Sequence, residues 1–367
     1  MKVKALPLIF FAVGLFAATS QAEESTRGIS SPRRDLGAQS YSAALKSLRE
    51  RNLQSYQLQL QQAADAGNLP AMNRLAQMHL DGNGGFPKDR AKAIELFKRS
   101  FAAGSPFGYV NLLSIRNSMR EEDPNAVTEI DESDDLSAKA FQLAAQLANK
   151  GDSESALALG LLYGDGIGVA PSHSSWLKWI RTAAEQGNQD AQIQLARYLT
   201  KRVEDFSGGS EYQPAEGLKW LERAASAGEG AAMFNIALLY EHGQPAVLDV
   251  SEGRQRTIAG IDRDMPKALH WYERAAASGN SSSMYNLGMF FAAGRGVPKD
   301  ASRAAQYWKL AAMAKNTSAL FNLGILYRDG DGVEKDLQQT RNLWEQAAAL
   351  GHQRSKEALA KLESTGK

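Results

Sequence analysis

The stretch Ser318-Ala-Leu-Phe-Asn-Leu-Gly-Ile-Leu-Tyr327 places apolar and small residues at the spacing of a helix, and related stretches recur along the chain. They lie at residues 282–291, 231–240 and, with looser similarity, 154–163. Apolar residues at this spacing line one side of a helix, so each copy predicts an amphipathic helix. A helix that returns at a regular interval indicates stacked repeats rather than one globular core.

The interval between repeats is measured between the residues that close them. Each repeat closes on two small or apolar residues, two further positions and then a residue placed to cap the helix in a left-handed conformation. The closing residues are Gly67, Gly104, Gly151, Gly187, Gly228, Gly279, Lys315 and Gly351. Neighbouring closing residues are 36 or 37 positions apart in four of the seven intervals, and the other three intervals are longer. Lys315 therefore stands where the pattern predicts glycine.

Each repeat is predicted to contain two helices. Glycine-rich turns at residues 164–168, 294–296 and 330–332 end the first helix. The second helix begins after an aspartate that can cap it, at Asp89, Asp300 and Asp336. All six tryptophans lie in predicted second helices: Trp176, Trp179, Trp220, Trp271, Trp308 and Trp344. Because the tryptophans recur with the repeat, we interpret them as packing residues and not as a cofactor site.

The elements A-x-x-x-L-G-x-x-Y, G-x-G-V and A-A-x-x-G resemble the pattern of the Sel-1-like repeat family, whose helix–turn–helix units are related to tetratricopeptide repeats. The resemblance covers residues 41–353. It implies an all-α, right-handed superhelical solenoid with a groove lined by the first helices. We expect residues 41–367 to form a single solenoid of about seven repeats. Insertions at 116–135, 201–213 and 244–264 account for the long intervals.

The first 22 residues have the features of a secretory signal peptide. Lys2 and Lys4 precede an apolar run that ends at Ala18, and small residues stand before a predicted cleavage site at Glu23. A membrane anchor is the alternative, but the run is shorter than the roughly 20 residues that span a bilayer. We expect a flexible lead at residues 23–40, no membrane span after cleavage and, in a Gram-negative source, a periplasmic location.

The composition narrows the possible chemistry. The absence of cysteine removes disulfides, thiolate catalysis and Cys-ligated metals. A formal net charge of +1 argues against a general nucleic-acid binder. None of the five histidines lies at metal-ligand spacing from another; they are His79, His173, His242, His270 and His352. We therefore expect no catalytic residue, no metal and no cofactor, and the chain is predicted not to be an enzyme.

The candidate binding residues follow from the family resemblance. If the register of tetratricopeptide repeats applies, positions around the Leu of each Leu-Gly pair face the groove. These positions carry aromatic, amide and arginine side chains, as protein-binding patches do. The predicted protein-binding residues are Arg74, Gln77, Asn111, Gln194, Arg197, Phe234, Asn235, Glu241, Tyr285, Asn286, Met289, Phe321, Asn322 and Arg328. Their asparagines either bond the backbone of an extended partner or tie neighbouring helices together, and the sequence leaves both interpretations open.

The partner is predicted to be another protein, bound in the groove or at the insertions. The resemblance implies three roles for exported bacterial members: scaffolds for envelope assembly, inhibitors of membrane sensors, and periplasmic immunity proteins. An anchorless chain with irregular insertions favours a stoichiometric inhibitor, such as an immunity protein that neutralises a type VI secretion effector, for example a phospholipase. The alternative is a periplasmic scaffold or regulator of cell-envelope, exopolysaccharide or sensor-kinase machinery. A hydrolase is the third hypothesis.

Overall fold

The structure is a computed structural model that describes residues 32–49, 52–81, 86, 89–122, 134–201, 212–249 and 256–364. Its chain forms two compact units, which we call unit 1, ending at Leu195, and unit 2, beginning at Ala196. The predicted signal peptide at 1–22 lies outside the described residues, as do residues 123–133 and 202–211 of two predicted insertions. The continuity and handedness of the predicted solenoid stay predictions.

Unit 1 consists of helices that run along the chain in antiparallel pairs. They are α1 (Pro32–Arg49), α2 (Leu53–Asp65), α3 (Leu69–Asp81), α4 (Arg90–Ala102), α5 (Pro106–Glu122), α6 (Asp134–Ala148), α7 (Ser153–Asp165), α8 (His173–Glu185) and the first part of α9 (Gln189–Thr200). Sequential helices pack most extensively, except that α5 contacts α6 less than α6 contacts α7. The α5 repeat has Leu112 and Leu113, both buried, where other repeats have Leu-Gly. Leu113 packs with Tyr109 and with Ala140 of α6 in one buried cluster.

Unit 2 continues the pattern with one departure. Its further helices are α10 (Pro214–Ser226), α11 (Gly230–His242), α12 (Met265–Ala277), α13 (Ser281–Ala293), α14 (Ala301–Met313), α15 (Thr317–Asp329), α16 (Leu337–Ala349) and α17 (Gln353–Ser364). Between α11 and α12, strands β1 (Val247–Asp249) and β2 (Arg256–Ile258) form an antiparallel hairpin in the largest insertion. The predicted all-α repeat fold is therefore confirmed, with this hairpin as its only sheet among the described residues.

Three predicted boundaries differ from the structure. Helix α7 continues through Gly164 and Asp165, so the turn predicted at 164–168 begins at Gly166. Helix α1 begins at Pro32, so the second half of the predicted flexible lead at 23–40 is helical. Proline suits the first turn of a helix, and Gly37 lies close to Ala66 of the neighbouring turn, where a larger residue would crowd it. The insertion predicted to start at residue 116 begins later, because α5 extends to Glu122.

Aspartate caps begin the second helices as predicted. The Oδ1 atoms of Asp89, Asp300 and Asp336 each accept a hydrogen bond of 2.9 Å from a backbone amide three residues later. These bonds satisfy amides that the first turn of a helix leaves without a partner. Among the described residues, no helix is long and apolar enough to cross a membrane.

The closing residue of every predicted repeat adopts a left-handed backbone conformation. The seven glycines at this position have φ between 89° and 106°, and Lys315 has a φ of 59°. Lys315 is the one residue other than glycine with positive φ in the part of the chain that the structure describes. A side chain disfavours this conformation because its Cβ crowds the backbone. The repeat register predicted from the closing residues is confirmed.

Replacing Lys315 by glycine is expected to raise the free energy of unfolding by up to about 1 kcal/mol, because glycine adopts this conformation without a Cβ penalty. Urea unfolding followed by circular dichroism measures the change. Gly279→Ala is the matched control, since a Cβ at Gly279 meets no atom within 4 Å and only the backbone conformation opposes it. We expect this control to lose about 1 kcal/mol. A destabilised Lys315→Gly variant would contradict the register.

A small residue in the first helix lets the second helix of a pair approach closely. Gly288 in α13 faces the indole of Trp308 in α14, and a Cβ at Gly288 would overlap that ring. Gly324 in α15 is related in the same way to Trp344 in α16. Each indole Nε1 then donates to a first-helix carbonyl three residues before the glycine, at 3.1 Å for Trp308 and 3.0 Å for Trp344. The indole therefore fixes the spacing of these two pairs, α13 with α14 and α15 with α16.

Candidate protein-binding site

The predicted binding residues of unit 1 lie on α3, α5 and α9. Arg74, Gln77 and Gln194 are partly exposed, whereas Asn111 is buried, with 7% of its surface accessible. The Asn111 side chain donates from Nδ2 to the carbonyl of Phe107 in its own helix at 2.9 Å. The donor of Asn111 is thus used within the protein, and we expect little contribution from it to a partner.

Arg74 is held by two tyrosines that the sequence did not single out. Its Nε donates to the hydroxyl of Tyr56 at 3.3 Å, and its guanidinium is also hydrogen-bonded to Tyr41. Burial lowers the pKa of Arg74, but the two tyrosines raise it and their effect prevails. Burial in turn raises the pKa of the Tyr41 hydroxyl. Arg74 is therefore a permanently charged, well-oriented group that donates to neutral hydroxyls.

Next to Arg74, a buried amide orients a carboxylate. Asn73 is 6% exposed, and its Nδ2 donates to Glu154 Oε1 at 3.2 Å and to Ser105 Oγ at 3.1 Å. Burial, reinforced by the charge of Asp152, raises the pKa of Glu154 from its ordinary value of 4.5 to about 7, although the Asn73 hydrogen bond opposes the shift. Asp190 also raises this pKa. Glu154 is thus partly protonated near neutral pH.

Asp190 extends the cluster to the start of α9. Its side chain reaches solvent but is flanked by protein atoms, and this desolvation raises its pKa while Arg74 opposes the rise. Glu154 and Asp190 are the second residues of α7 and α9, 36 positions apart. We define the unit 1 cluster by Asn73, Arg74, Asp152, Glu154 and Asp190. The acidic residues at one repeat position were a signal in the sequence that our prediction overlooked.

The raised pKa of Glu154 predicts a pH-dependent stability. A carboxyl that binds its proton more tightly when folded stabilises the fold as pH falls below the folded pKa, and this gain is lost as pH rises through 7. Between pH 8 and pH 5.5, Glu154 is expected to add about 2 kcal/mol to the free energy of unfolding.

Urea unfolding of the wild type and of Glu154→Gln at both pH values measures this contribution. The glutamine variant lacks the titrating group, so its stability should rise less between pH 8 and pH 5.5. Glu185→Gln, at an exposed carboxylate in α8, is the control and should follow the wild type. Equal pH dependence in all three proteins would show that Glu154 has an ordinary pKa.

In unit 2, the predicted residues on α11 and α13 form a partly exposed apolar strip. Phe234, Tyr285 and Met289 are each half-buried, and each packs one side against the core. Arg197 and Arg328 are exposed, and Arg328 forms a bidentate pair with Asp329 at 2.6 and 2.8 Å. The aromatic and methionine side chains are therefore placed to contact a partner.

The asparagine side chains of unit 2 donate hydrogen bonds within the protein. Asn235 donates to the carbonyl of Ala231 in its own helix at 2.8 Å. Asn286 Nδ2 donates to the hydroxyl of Tyr272 at 3.2 Å, which joins α13 to α12, and Asn322 Nδ2 contacts Met289 Sδ at 3.4 Å. Of the two interpretations left open by the sequence, Asn286 and Asn322 fit the one in which asparagines tie helices together, whereas the Asn235 bond stays within its own helix.

Two predicted binding residues of unit 2 are largely covered by the protein itself. Glu241 is 7% exposed and accepts a hydrogen bond of 2.6 Å from the hydroxyl of Tyr272. Phe321 is 8% exposed, because it packs with Trp344 and with Leu362 of the last helix. The guanidinium of Arg354 also lies 5.0 Å from the Phe321 ring. Both side chains stabilise the fold, and neither offers a partner much surface.

No group of three or more His, Asp or Glu side chains that could hold a metal ion occurs in the described ranges. The predicted residues on the first helices include the charged Arg74 in unit 1 and the half-buried Phe234, Tyr285 and Met289 in unit 2.

The Sel1 repeat family model matches most of the chain. The matched residues are 69–105, 153–188, 189–229, 230–255, 256–280, 281–316 and 317–352. The chain belongs to the Sel1 repeat family. Two of the matches divide the α11 and α12 pair at the hairpin, and none covers α5 and α6, the loosely packed pair. Sel1 repeat proteins bind other proteins, and this chain has the corresponding interaction fold.

Two curated relatives are fungal. Chitin synthase regulator SKT5 of Saccharomyces cerevisiae is 30% identical over 150 residues, which cover 40% of this chain and 19% of the relative. Chitin synthase regulatory factor 3 of Schizosaccharomyces pombe is 24% identical over 218 residues, covering 59% of this chain and 22% of the relative. The chain thus spans about a fifth of the length of the curated relatives it matches.

Among solved structures, a Sel1 repeat protein from Oxalobacter formigenes is similar with a TM-score of 0.51 and 22% sequence identity. The similarity covers 90% of this chain and 86% of the other protein. It agrees with the repeat fold described above.

Proposed function

We propose that this Sel1 repeat protein has no catalytic activity and acts by holding a partner protein in a stoichiometric complex on its first helices. The observation that carries the proposal is the strip of half-buried Phe234, Tyr285 and Met289 on α11 and α13. Each of these side chains is anchored by the core on one side and open on the other, so a partner can bury the remaining surface without first ordering the side chain.

The more specific proposal is that the partner is a toxic effector and that the chain is a periplasmic immunity protein. The predicted signal peptide supports export. An inhibitor that acts by forming a complex needs a rigid binding surface and does not need catalytic residues. An effector delivered by type VI secretion, for example a phospholipase, is the expected target.

The second candidate is a scaffold or regulator of cell-envelope, exopolysaccharide or sensor-kinase machinery. The two fungal relatives favour it, since one is a chitin synthase regulator and the other a chitin synthase regulatory factor. A regulator that acts by binding its target needs a binding surface, and the repeat fold can provide one for a regulator as well as for an inhibitor. A hydrolase remains third.

The proposal is tested by capture with the purified exported protein as bait. Periplasmic extracts of the source and secreted extracts of neighbouring strains are applied, and retained proteins are identified by mass spectrometry. We expect one partner that forms a one-to-one complex on reconstitution with purified components. An immunity role requires that the exported protein rescues cells from that partner, whereas a scaffold role requires an envelope defect on deletion without any attacker.

Tyr285→Ala should weaken the reconstituted complex by about 2 kcal/mol, which is roughly thirtyfold in Kd, because an aromatic anchor is lost. The matched control is Tyr307→Ala on α14, a half-buried tyrosine of a second helix that stacks on Phe291. It should leave Kd unchanged. Phe321→Ala should mainly lower the melting temperature, because Phe321 lies beneath the last helix. Full affinity of Tyr285→Ala, or substrate turnover by the purified chain, would refute the proposal.

A further inference from the structure

We propose that Met289 on α13 is a modification site, at which a hydroperoxide converts the thioether to a single epimer of the sulfoxide and thereby weakens binding of the partner protein. The effect on binding rests on the proposed function, whereas the oxidation itself can be measured without a partner.

Met289 lies beside an expected anchor of the partner. It follows Tyr285 by four residues on α13, so the two side chains are neighbours on one face of the helix. Both are half-buried, and both pack against the core cluster that contains Trp308 and Leu323. The rest of the Met289 surface is accessible, so a small oxidant can approach this side chain from solvent.

The Met289 sulfur has a polar neighbour in the next repeat. Asn322 on α15 is half-buried, and its Nδ2 donates to Met289 Sδ at 3.4 Å. A thioether sulfur accepts such a bond weakly, through one of its lone pairs. The amide of Asn322 therefore covers one lone pair of the sulfur and leaves the other one to a different neighbour or to solvent.

This one-sided contact determines which sulfoxide can form. Oxygen bonded at one lone pair gives one epimer, and oxygen bonded at the other lone pair gives the opposite epimer. An oxygen on the side of Asn322 would lie between Met289 Sδ and Asn322 Nδ2, and their separation of 3.4 Å leaves no room for it. Oxidation is therefore directed to the other lone pair.

The reaction needs only the sulfur and the peroxide. The sulfur gives an electron pair to one peroxide oxygen, so an S–O bond forms and the O–O bond breaks. With hydrogen peroxide, the second oxygen leaves as hydroxide and takes the proton of the first, and the products are the sulfoxide and water. The sulfur loses two electrons, and the peroxide gains them.

The sulfoxide changes the chemistry of the binding strip. Oxidation converts a flexible apolar side chain into a polar one that carries an exposed acceptor. A partner that buries Tyr285 and Phe234 would also remove water from this oxygen, which is unfavourable unless the partner supplies a donor. An apolar partner surface is therefore expected to bind the oxidised protein more weakly.

Peroxide treatment of the exported protein tests the site. Hydrogen peroxide is the probe, and mass spectrometry after digestion under denaturing conditions measures the sulfoxide at each methionine. We expect Met313, which is 79% exposed, to react first and Met289 to react measurably, while Met72 and Met233, at 5% and 6% exposed, resist. A Met289 that resists as strongly as Met72 and Met233 would overturn the modification site.

The two stereospecific methionine sulfoxide reductases, each of which reduces one epimer, report the stereochemistry in the digested peptides. We expect one enzyme to reduce nearly all of the Met289 sulfoxide, whereas each enzyme should reduce about half of the Met313 sulfoxide. A mixture of both epimers at Met289 would show that the contact with Asn322 does not direct the reaction.

Variants then test the amide itself. Asn322→Ala should give both epimers at Met289, because nothing covers the first lone pair. Asn235→Ala is the matched control and should still give one epimer, since the Asn235 amide bonds the carbonyl of Ala231 in its own helix. Circular dichroism checks that both variants are folded. A single epimer in Asn322→Ala would contradict the directing role of Asn322.

The effect on binding is measured with the partner captured above. Peroxide treatment should weaken the complex of the wild type about tenfold, and both reductases together should restore it. Met289→Leu has no sulfur at this position, so its Kd should be the same before and after treatment, although Met313 still oxidises. Each protein is compared with itself, and an equal loss in Met289→Leu would assign the effect to another methionine and overturn the proposal.

These measurements separate the inference from the proposed function. If the treated and untreated wild type bind the partner equally, the inference is wrong and the proposed function stands. If the wild type binds no partner, the proposed function fails and the regulatory part of the inference fails with it. A single epimer at Met289 would then still support the modification site.

Discussion

The close approach of the first and second helices, where a glycine of one faces a large side chain of the other, is the contact on which the stacked pairs of unit 2 depend. In unit 2, Gly288 and Gly324 admit the indoles of Trp308 and Trp344 to within contact of the first helix, and each indole N–H bonds a carbonyl of that helix. One side of the first helix therefore packs against the second helix of the same pair. Its other side packs against neighbouring helices and faces solvent.

This constraint explains why the same scaffold carries different surfaces. Residues that pack between the two helices of a pair are restricted in size and shape. Residues one turn away are less restricted, so they differ from repeat to repeat. In unit 1 that freedom places Glu154 beside Asn73, and in unit 2 it places Phe234 and Tyr285 partly in solvent. A protein of this kind recognises partners by the sum of such local patches, so its specificity is separable from its stability.

Much of the fold was predictable because it depends on local rules. The aspartate caps, the closing glycines and the strained Lys315 follow from the backbone needs of helix ends, which the sequence displays directly. The binding residues were harder to predict, because the burial of a side chain depends on which residues of other helices pack against it. The pattern placed Phe321 in the groove, but the last helix covers it, and Glu241 turns inward to Tyr272. The Asn73 to Glu154 contact joins residues 81 positions apart, beyond any repeat pattern.

A double-mutant cycle on Gly288 and Trp308 tests most directly whether the glycine and the indole set the helix spacing together. Urea unfolding would give the stability of Gly288→Ala, Trp308→Phe and the double variant. We expect Gly288→Ala to cost about 1 to 3 kcal/mol in the wild type and at least about 1 kcal/mol less when residue 308 is phenylalanine, since the smaller ring leaves room for the Cβ. The same cost in both backgrounds would show that the indole does not determine the spacing, and the account would be contradicted.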